Sequence, residues 1–180
     1  MKVLVVNGSP RLKGNTKVAV KAVAEGIVEH CEHDVELIDV VKYKIDGCLG
    51  CGNCQQTNGV CVIKDDGNSL VEKICEADVV IFGSPVYWWG ITSQLKALID
   101  RIYAKNSILP TLKKKIGIIA VGAAELSDKE YELISGQFKC ICEYLNWELV
   151  IDESISAAEI GDLEKDKEKI EYLKEIWKKI

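Results

Sequence analysis

The sequence predicts an α/β fold in which a parallel β-sheet is covered by helices on both faces. Five short segments rich in Val, Ile and Leu are typical of buried strands. Segments in which apolar residues recur every three or four positions alternate with these strands along the chain. Strands that alternate with helices form parallel sheets, and both faces of such a sheet are covered. A layered sandwich is therefore expected.

The predicted strands are Lys2–Val6, Val35–Val40, Val79–Gly83, Ile116–Val121 and Trp147–Ile151. The first strand runs into Asn7-Gly8-Ser9-Pro10, a sequence typical of a turn. A count of five strands favours the flavodoxin-like order 2-1-3-4-5 over a full dinucleotide-binding fold. We therefore expect a flavodoxin-like three-layer sandwich with a five-stranded parallel sheet of order 2-1-3-4-5.

Five helices are predicted between and after the strands. They are Thr16–His30, Asn68–Cys75, Thr92–Tyr103, a helix that opens at Ser127, and a terminal amphipathic helix from Ile160 to Ile180. Ser127 and Glu130 form a capping-box pattern at the start of the fourth helix. Since no linker interrupts this alternation, one domain is expected over residues 1–180.

Composition excludes several classes of function. The chain has 180 residues, of which 48% are hydrophobic, so a disordered chain is excluded. Its formal net charge is −5 and its Lys and Arg residues are scattered, which argues against a nucleic-acid partner. Neither a secretory leader nor a membrane-spanning segment is predicted, so we expect a cytoplasmic protein. Eight cysteines in such a chain indicate metal or redox chemistry before structural disulfides.

The segment at about 41–67 is too long for an ordinary connection and has no predicted secondary structure. It carries Cys48, Cys51, Cys54 and Cys61 in a C-x2-C-x2-C-x6-C pattern. Four thiolates this close in sequence are expected to converge, and such a set suits zinc or an iron–sulfur cluster. The spacing of the first three cysteines matches the ferredoxin-like run.

A phosphate site is predicted where the first strand leads into the first helix, at Gly8–Thr16. The glycine spacing fits neither the Walker pattern nor the dinucleotide fingerprint. Main-chain N–H groups at a helix N-terminus form an anion site. A single phosphate is predicted there, bound by Ser9, Arg11, Asn15 and Thr16.

A second loop follows the third strand and is predicted to bind the planar part of a ligand. In an open α/β sheet, ligands lie beyond the carboxyl ends of the strands at the switch point, here between the first and third strands. Main-chain N–H groups of this loop are suited to the polar edge of a heterocycle, and its aromatic rings to the heterocycle's face. The predicted contact residues are Pro85, Val86, Tyr87, Trp88, Trp89 and Gly90, with Gly122 after the fourth strand as a third wall.

Together these motifs resemble the iron–sulfur flavoprotein family, a branch of the flavodoxin-like NADPH-dependent FMN reductase superfamily. The residues that carry the resemblance are Gly8–Thr16, the four cysteines, Gly83–Tyr87 and Lys96–Arg101. The resemblance implies FMN on the two loops and a [4Fe–4S] cluster on the four cysteines. It also implies a homodimer or homotetramer that passes electrons between redox carriers, either a partner protein or a small electron acceptor.

Two alternatives remain open from the sequence. One is a cluster-free FMN-dependent NAD(P)H oxidoreductase of the quinone or flavin reductase type, although no dedicated NAD(P)H-binding motif is evident. The other is a zinc-stabilised binding module, which the overlapping cysteine spacing fits less well because such zinc sites usually use two separated C-x2-C pairs.

Overall fold

The computed structural model, which describes residues 1–180, contains a five-stranded sheet of order β2-β1-β3-β4-β5. All neighbouring strands are parallel. The strands are β1 (Lys2–Asn7), β2 (Asp34–Asp39), β3 (Val79–Pro85), β4 (Lys115–Gly122) and β5 (Glu148–Ser156). The predicted flavodoxin-like order is therefore confirmed.

Six α-helices and five short 3-10 turns lie between and after these strands. The helices are α1 (Asn15–His30), α2 (Gly67–Glu76), α3 (Ser93–Arg101), α4 (Lys129–Leu145), α5 (Asp162–Lys165) and α6 (Lys167–Lys174). The 3-10 turns are Val40–Lys42, Asn53–Gln56, Ile102–Lys105, Leu109–Thr111 and Glu175–Lys179. No helix combines the length and the apolar composition that crossing a bilayer would require.

Side chains that alternate along each strand divide the apolar core between the two faces of the sheet. Leu4 and Val6 of β1 pack with α2, α3 and α4 on one face. Val3 and Val5 pack with α1 and α6 on the other face. Each fully buried aliphatic side chain stabilises the fold by about 1.5–3 kcal/mol before entropy is counted. The predicted three-layer arrangement follows from this alternation.

The terminal helix predicted from Ile160 to Ile180 is wrong as a single element. The chain forms α5 and α6, with a break at Asp166, and ends in a 3-10 turn. The Asp166 side chain accepts a hydrogen bond from Lys169 N at 2.9 Å and so caps the start of α6. A capping aspartate at this position ends one helix and begins another, although the apolar spacing continues through it.

Other element boundaries also differ from the prediction: the second strand ends at Asp39, α3 ends at Arg101, and α4 and β5 differ as follows. The N-cap of α4 is Asp128 rather than Ser127, and its Oδ1 accepts from Glu130 N at 3.0 Å. Strand β5 also continues beyond Ile151 to Ser156, because its register with β4 extends as far as Gly122. The longer β4–β5 pair brings the end of β5 level with Gly122 at the carboxyl end of β4.

Candidate functional site

Two loops meet at the edge of the sheet where β1 and β3 end, and Gly8 joins them. Gly8 N donates to Gly83 O at 2.8 Å, and the Thr92 hydroxyl donates to Gly8 O at 2.6 Å. A Cβ at Gly8 would lie only 2.8 Å from Leu95 Cβ, so a larger residue does not fit. Because β1 lies between β2 and β3, this edge is the switch point of the sheet.

The N-terminus of α1 has the donors of an anion site. Its N-cap residue is Gly14, so no side chain caps the helix. The first-turn N–H groups of Asn15, Thr16 and Lys17 have no acceptor within the helix. Unpaired N–H groups at the positive end of a sixteen-residue helix attract an anion.

Three of the predicted phosphate contacts surround this helix end. Ser9 and Thr16 are buried, and Ser9 Oγ accepts from Arg11 N at 3.1 Å. The Arg11 side chain is exposed and has no ion-pair partner within the chain. Two hydroxyl groups, unpaired N–H groups and a free guanidinium together fit the donor requirements of a phosphate monoester.

The Asn15 side chain has a different role from the one predicted. Its amide nitrogen donates to Ala157 O at 3.2 Å and to Glu159 O at 2.8 Å. Its amide oxygen accepts from Gly161 N at 3.2 Å and Leu163 N at 3.3 Å. The side chain therefore ties the start of α1 to the segment after β5, and only the main-chain N–H of Asn15 remains for a ligand.

Asp39, at the end of β2, balances positive charge beside the phosphate loop and was not identified from the sequence. Its carboxylate lies 2.6 Å from Lys17 Nζ and 2.9 Å from Lys42 Nζ, and it accepts from Asn7 Nδ2 at 3.0 Å. Burial alone raises the pKa of Asp39, but the hydrogen bonds from Lys17, Asn7 and Lys42 outweigh burial and lower this pKa to about 2. Asn7 and Asp39 end neighbouring strands and face each other in the β1–β2 register. A polar residue at the end of each of two apolar runs is the sequence signal that could have predicted this contact.

The loop after β3 forms a two-residue hairpin turn. Tyr87 N donates to Gly90 O at 2.9 Å, and Gly90 N donates to Tyr87 O at 3.1 Å. The central residues Trp88 and Trp89 have φ values of 49° and 59°. A two-residue turn with positive φ at both central residues is of type I′, for which Asn and Gly are strongly preferred. Two consecutive tryptophans therefore adopt a strained backbone.

The strained turn carries its aromatic side chains largely into solvent. Trp88 is 91% exposed and Trp89 is 54% exposed, with ring centroids 6.0 Å apart. Pro85, by contrast, ends β3, and Val86 N donates to Val121 O at 2.9 Å, which fixes the base of the loop on β4. The two tryptophans thus project from a fixed base without an enclosing wall.

Gly122 lies at the end of β4, where a side chain would collide with its neighbours. A Cβ there would lie 2.1 Å from Glu130 Oε1 and 2.7 Å from Tyr131 Oη. Tyr131 donates to Ala124 O at 2.9 Å and so holds the turn after β4. Glu130 Oε1 is buried without a hydrogen-bond partner. The sequence indicated Glu130 only as a capping residue and did not indicate Tyr131, since only the fold brings α4 onto this turn.

The four cysteines of the 41–67 segment are free thiols in different surroundings. Cys48 and Cys51 are exposed, Cys54 is buried and Cys61 is partly exposed. No group of three or more His, Cys, Asp or Glu side chains is arranged to hold a metal ion, so the predicted convergence is absent from this structure. The arm from Gly47 to Gly52 makes only local hydrogen bonds, such as Gly50 N to Cys48 Sγ at 3.4 Å. The chemistry of the thiols fits a metal cluster, whereas their arrangement is not that of a preformed site.

Comparison with known proteins identifies relatives of the chain. The profile of the NADPH-dependent FMN reductase family matches residues 1–133. An iron-sulfur flavoprotein of Methanocaldococcus jannaschii is 37% identical over 130 residues, which cover 72% of the chain and 66% of the relative. An iron-sulfur flavoprotein of Archaeoglobus fulgidus is 38% identical over 117 residues, which cover 65% of the chain and 52% of the relative. The alignments thus span about half to two thirds of these curated relatives.

Solved structures share the fold. Smu.1420 from Streptococcus mutans superposes with a TM-score of 0.77 at 18% identity, with full coverage of both chains. An NAD(P)H:quinone oxidoreductase from Methanothermobacter marburgensis superposes with a TM-score of 0.73 at 16% identity, with coverage of 98% of the chain and 95% of that structure. At these identities the likeness is one of fold.

Replacing Trp88-Trp89 by Asn-Gly is expected to stabilise the protein. Each non-glycine residue in the left-handed region costs about 1–2 kcal/mol, and little packing is lost at the exposed tip. We expect the free energy of unfolding in urea to rise by about 1–2 kcal/mol. Phe-Phe at the same positions is the matched control, because it keeps the strain and should give no gain. An Asn-Gly variant no more stable than the Phe-Phe variant would disprove the strain.

Asp39 is expected to make stability depend on pH in the acid range. Because its folded-state pKa of about 2 lies below the ordinary value of 3.8, its stabilisation is present above pH 3.8 and is lost as the pH falls towards 2. The stability difference between the wild type and Asp39→Asn should therefore shrink by about 2 kcal/mol over that range in urea unfolding. Glu32→Gln, an exposed acid, is the control. A difference that is constant with pH would contradict the assignment.

Proposed function

The chain belongs to the NADPH-dependent FMN reductase family, and from this membership we propose that it is an FMN-containing redox protein of the iron–sulfur flavoprotein type. Its proposed role is electron transfer between redox carriers, with NAD(P)H as a candidate electron donor. The observation that carries the proposal is the uncapped N-terminus of α1 at the switch point of the sheet. The iron–sulfur part rests on the cysteine pattern and on the names of the relatives.

The phosphate of FMN is assigned to the loop from Gly8 to Thr16. Ser9 Oγ, the first-turn N–H groups of α1 and the Arg11 guanidinium are the proposed donors. A phosphate monoester carries enough charge for these groups, while the Lys17 ammonium is already paired with Asp39. For the second phosphate of a dinucleotide, this loop offers only one more unpaired cation, the exposed Lys13.

The isoalloxazine ring is assigned to the crevice between the base of the Pro85–Gly90 loop and the turn at Gly122. The fixed base of that loop supports this choice. The main chain there is held by the hydrogen bonds from Val86 N to Val121 O and from Gly90 N to Tyr87 O. Bound FMN supplies the ability to accept and release electrons singly or in pairs. The part proposed for the protein is to bind and orient the ring and to keep water from one side of it. Strained residues cluster at functional sites, so we assign Trp88 and Trp89 to contact with the ring or with an electron acceptor.

The four cysteines are the proposed ligands of a [4Fe–4S] cluster. Cys54 and Cys61 lie on the anchored part of the segment, and the exposed arm with Cys48 and Cys51 would have to fold towards them. Gly50 and Gly52, with φ values of 63° and 68°, give this arm the freedom to do so. We also propose a homodimer or homotetramer, in which the cluster of one subunit exchanges electrons with the flavin of a neighbouring subunit.

A second candidate is a cluster-free FMN-dependent NAD(P)H oxidoreductase that reduces quinones or free flavin. One observation favours it: no three of the four thiols come together as a coordination group. Under this alternative the cysteines are free thiols, redox-active pairs or zinc ligands. The two candidates share the flavin site and differ only in the cysteine segment.

Arg11→Gln is expected to weaken FMN binding by about 10–100-fold, because it removes a charged hydrogen-bond donor from the phosphate. Fluorescence titration of the flavin-free protein measures the dissociation constant. Riboflavin, which lacks the phosphate, should bind equally to wild type and variant. Lys21→Gln removes an exposed charge further along α1 and should change neither ligand. Equal FMN affinity in Arg11→Gln and wild type would contradict the assignment of the phosphate.

Anaerobic purification separates the two candidate functions. The iron–sulfur flavoprotein should contain about four iron and four acid-labile sulfide per FMN, and Cys61→Ser should lose them while keeping FMN. Cys140→Ser, on the outer side of α4, is the control and should keep both. Flavin without iron or sulfide, together with rapid NADPH oxidation, would establish the cluster-free alternative instead.

A further inference from the structure

The most thoroughly buried ion pair of the chain lies beside the cysteine segment and not at the flavin crevice. Arg101, the last residue of α3, pairs with Asp65 at 2.8 Å, and each side chain is only 1% exposed. The guanidinium also donates to Asp46 O at 3.1 Å, to Asn68 Oδ1 at 2.9 Å and to Ile63 O at 3.4 Å. Four acceptors therefore converge on one side chain.

These acceptors flank the cysteine-bearing part of the segment, residues 48–61, on both sides. Asp46 stands two residues before Cys48, and Ile63 stands two residues after Cys61. Asp65 closes the same junction, because its carboxylate also accepts from Asp46 N at 2.8 Å. One guanidinium thus joins the chain that enters the segment to the chain that leaves it.

The network extends to the backbone of a predicted ligand. The Asn68 amide donates to Cys61 O at 3.3 Å and to Ile63 O at 3.0 Å, while its oxygen accepts from Arg101. Burial opposes the charge of Arg101, but the hydrogen bond and attraction of Asp65, with a smaller effect of Cys61, raise its pKa above the ordinary value. The guanidinium therefore remains charged at any pH in which the protein works.

The opposite end of α3 is fixed to the phosphate loop. Thr92, the N-cap of α3, accepts from Leu95 N at 3.2 Å and donates to Gly8 O. A helix of nine residues is a stiff connection of about 13 Å. Its one end is thereby tied to the flavin crevice and its other end to the cysteine segment.

We propose that Arg101 is a positioning residue that clamps together the chain on either side of residues 48–61, so that the base of the cysteine arm and Cys61 are fixed relative to the phosphate loop at the other end of α3. A buried ion pair contributes little net stability. Holding the chain in a single conformation therefore explains better than stability why this pair is buried. The planar fork of arginine can reach four acceptors at once, which a lysine ammonium cannot do. The inference rests on the proposed function only for the use of the thiols as metal ligands.

The test is the reactivity of Cys61 in the metal-free protein, measured by N-ethylmaleimide labelling and mass spectrometry. Arg101→Lys keeps the charge opposite Asp65 but loses the fork, and Cys61 should be labelled about tenfold faster or more, relative to the exposed Cys140. Gly67→Ala is a second variant, because its Cβ would lie 3.1 Å from Arg101 Cζ and displace the guanidinium. It should act in the same direction.

Two controls separate clamping from a general loss of stability. Asp100→Asn breaks the exposed pair with Lys96 on the same helix and should leave Cys61 labelling within about twofold of wild type. Lys114→Met removes a buried ammonium that donates to Cys75 O at 2.7 Å at the far end of α2. It should lower the unfolding midpoint without changing Cys61 labelling.

A second measurement links the clamp to metal binding. Co²⁺ titration of the metal-free protein, followed by its thiolate absorption, should show about tenfold weaker binding in Arg101→Lys than in Asp100→Asn. Cys61 labelling that is equal in wild type, Arg101→Lys and Gly67→Ala would overturn the inference, whatever the metal result. Faster labelling in both variants, with a wild type that binds neither cobalt nor iron, would support the clamp and remove the cluster from the proposed function.

Discussion

The ligand edge of this protein depends on two hydrogen bonds made by one residue. Gly8 donates to Gly83 at the end of β3 and accepts from the Thr92 hydroxyl at the start of α3. The first bond holds the phosphate loop against the neighbouring strand, and the second ties it to the helix that follows the aromatic loop. Because no Cβ fits between Gly8 and Leu95, this contact requires glycine. Two loops distant in sequence meet because they share this junction.

Helix α3 extends this constraint to the rest of the site. Its N-cap, Thr92, is bonded to the phosphate loop, and its last residue, Arg101, is bonded to the cysteine segment. The phosphate loop and the cysteine segment are therefore attached to opposite ends of one short helix. A rigid connection of this kind fixes the spacing between these two parts within one subunit. The exposed arm that carries Cys48 and Cys51 is the one part of the segment that the clamp does not hold directly.

Much of the fold was predictable from the sequence, because strand and helix periods are local properties. The strand order followed from the number and spacing of apolar runs, and the loops with Ser9 and Pro85 were placed by the turn residues around them. Contacts between distant residues were not predictable. The pairing of Arg101 with Asp65 leaves no local signal in the sequence. Neither do the hydrogen bonds between the Asn15 side chain and the segment after β5. The positive φ values of Trp88 and Trp89 also oppose their own propensity, so only the tertiary structure reveals the type I′ turn. The break at Asp166 was missed because the apolar period continues across it.

The most direct test of the central claim is a crystal structure of the protein grown with FMN. The phosphate should lie about 3 Å from Ser9 Oγ and the first-turn nitrogens of α1, with the ring between the Pro85–Gly90 loop and Gly122. FMN bound with its phosphate away from the N-terminus of α1, or with its ring outside the crevice that Gly8 joins, would contradict this claim.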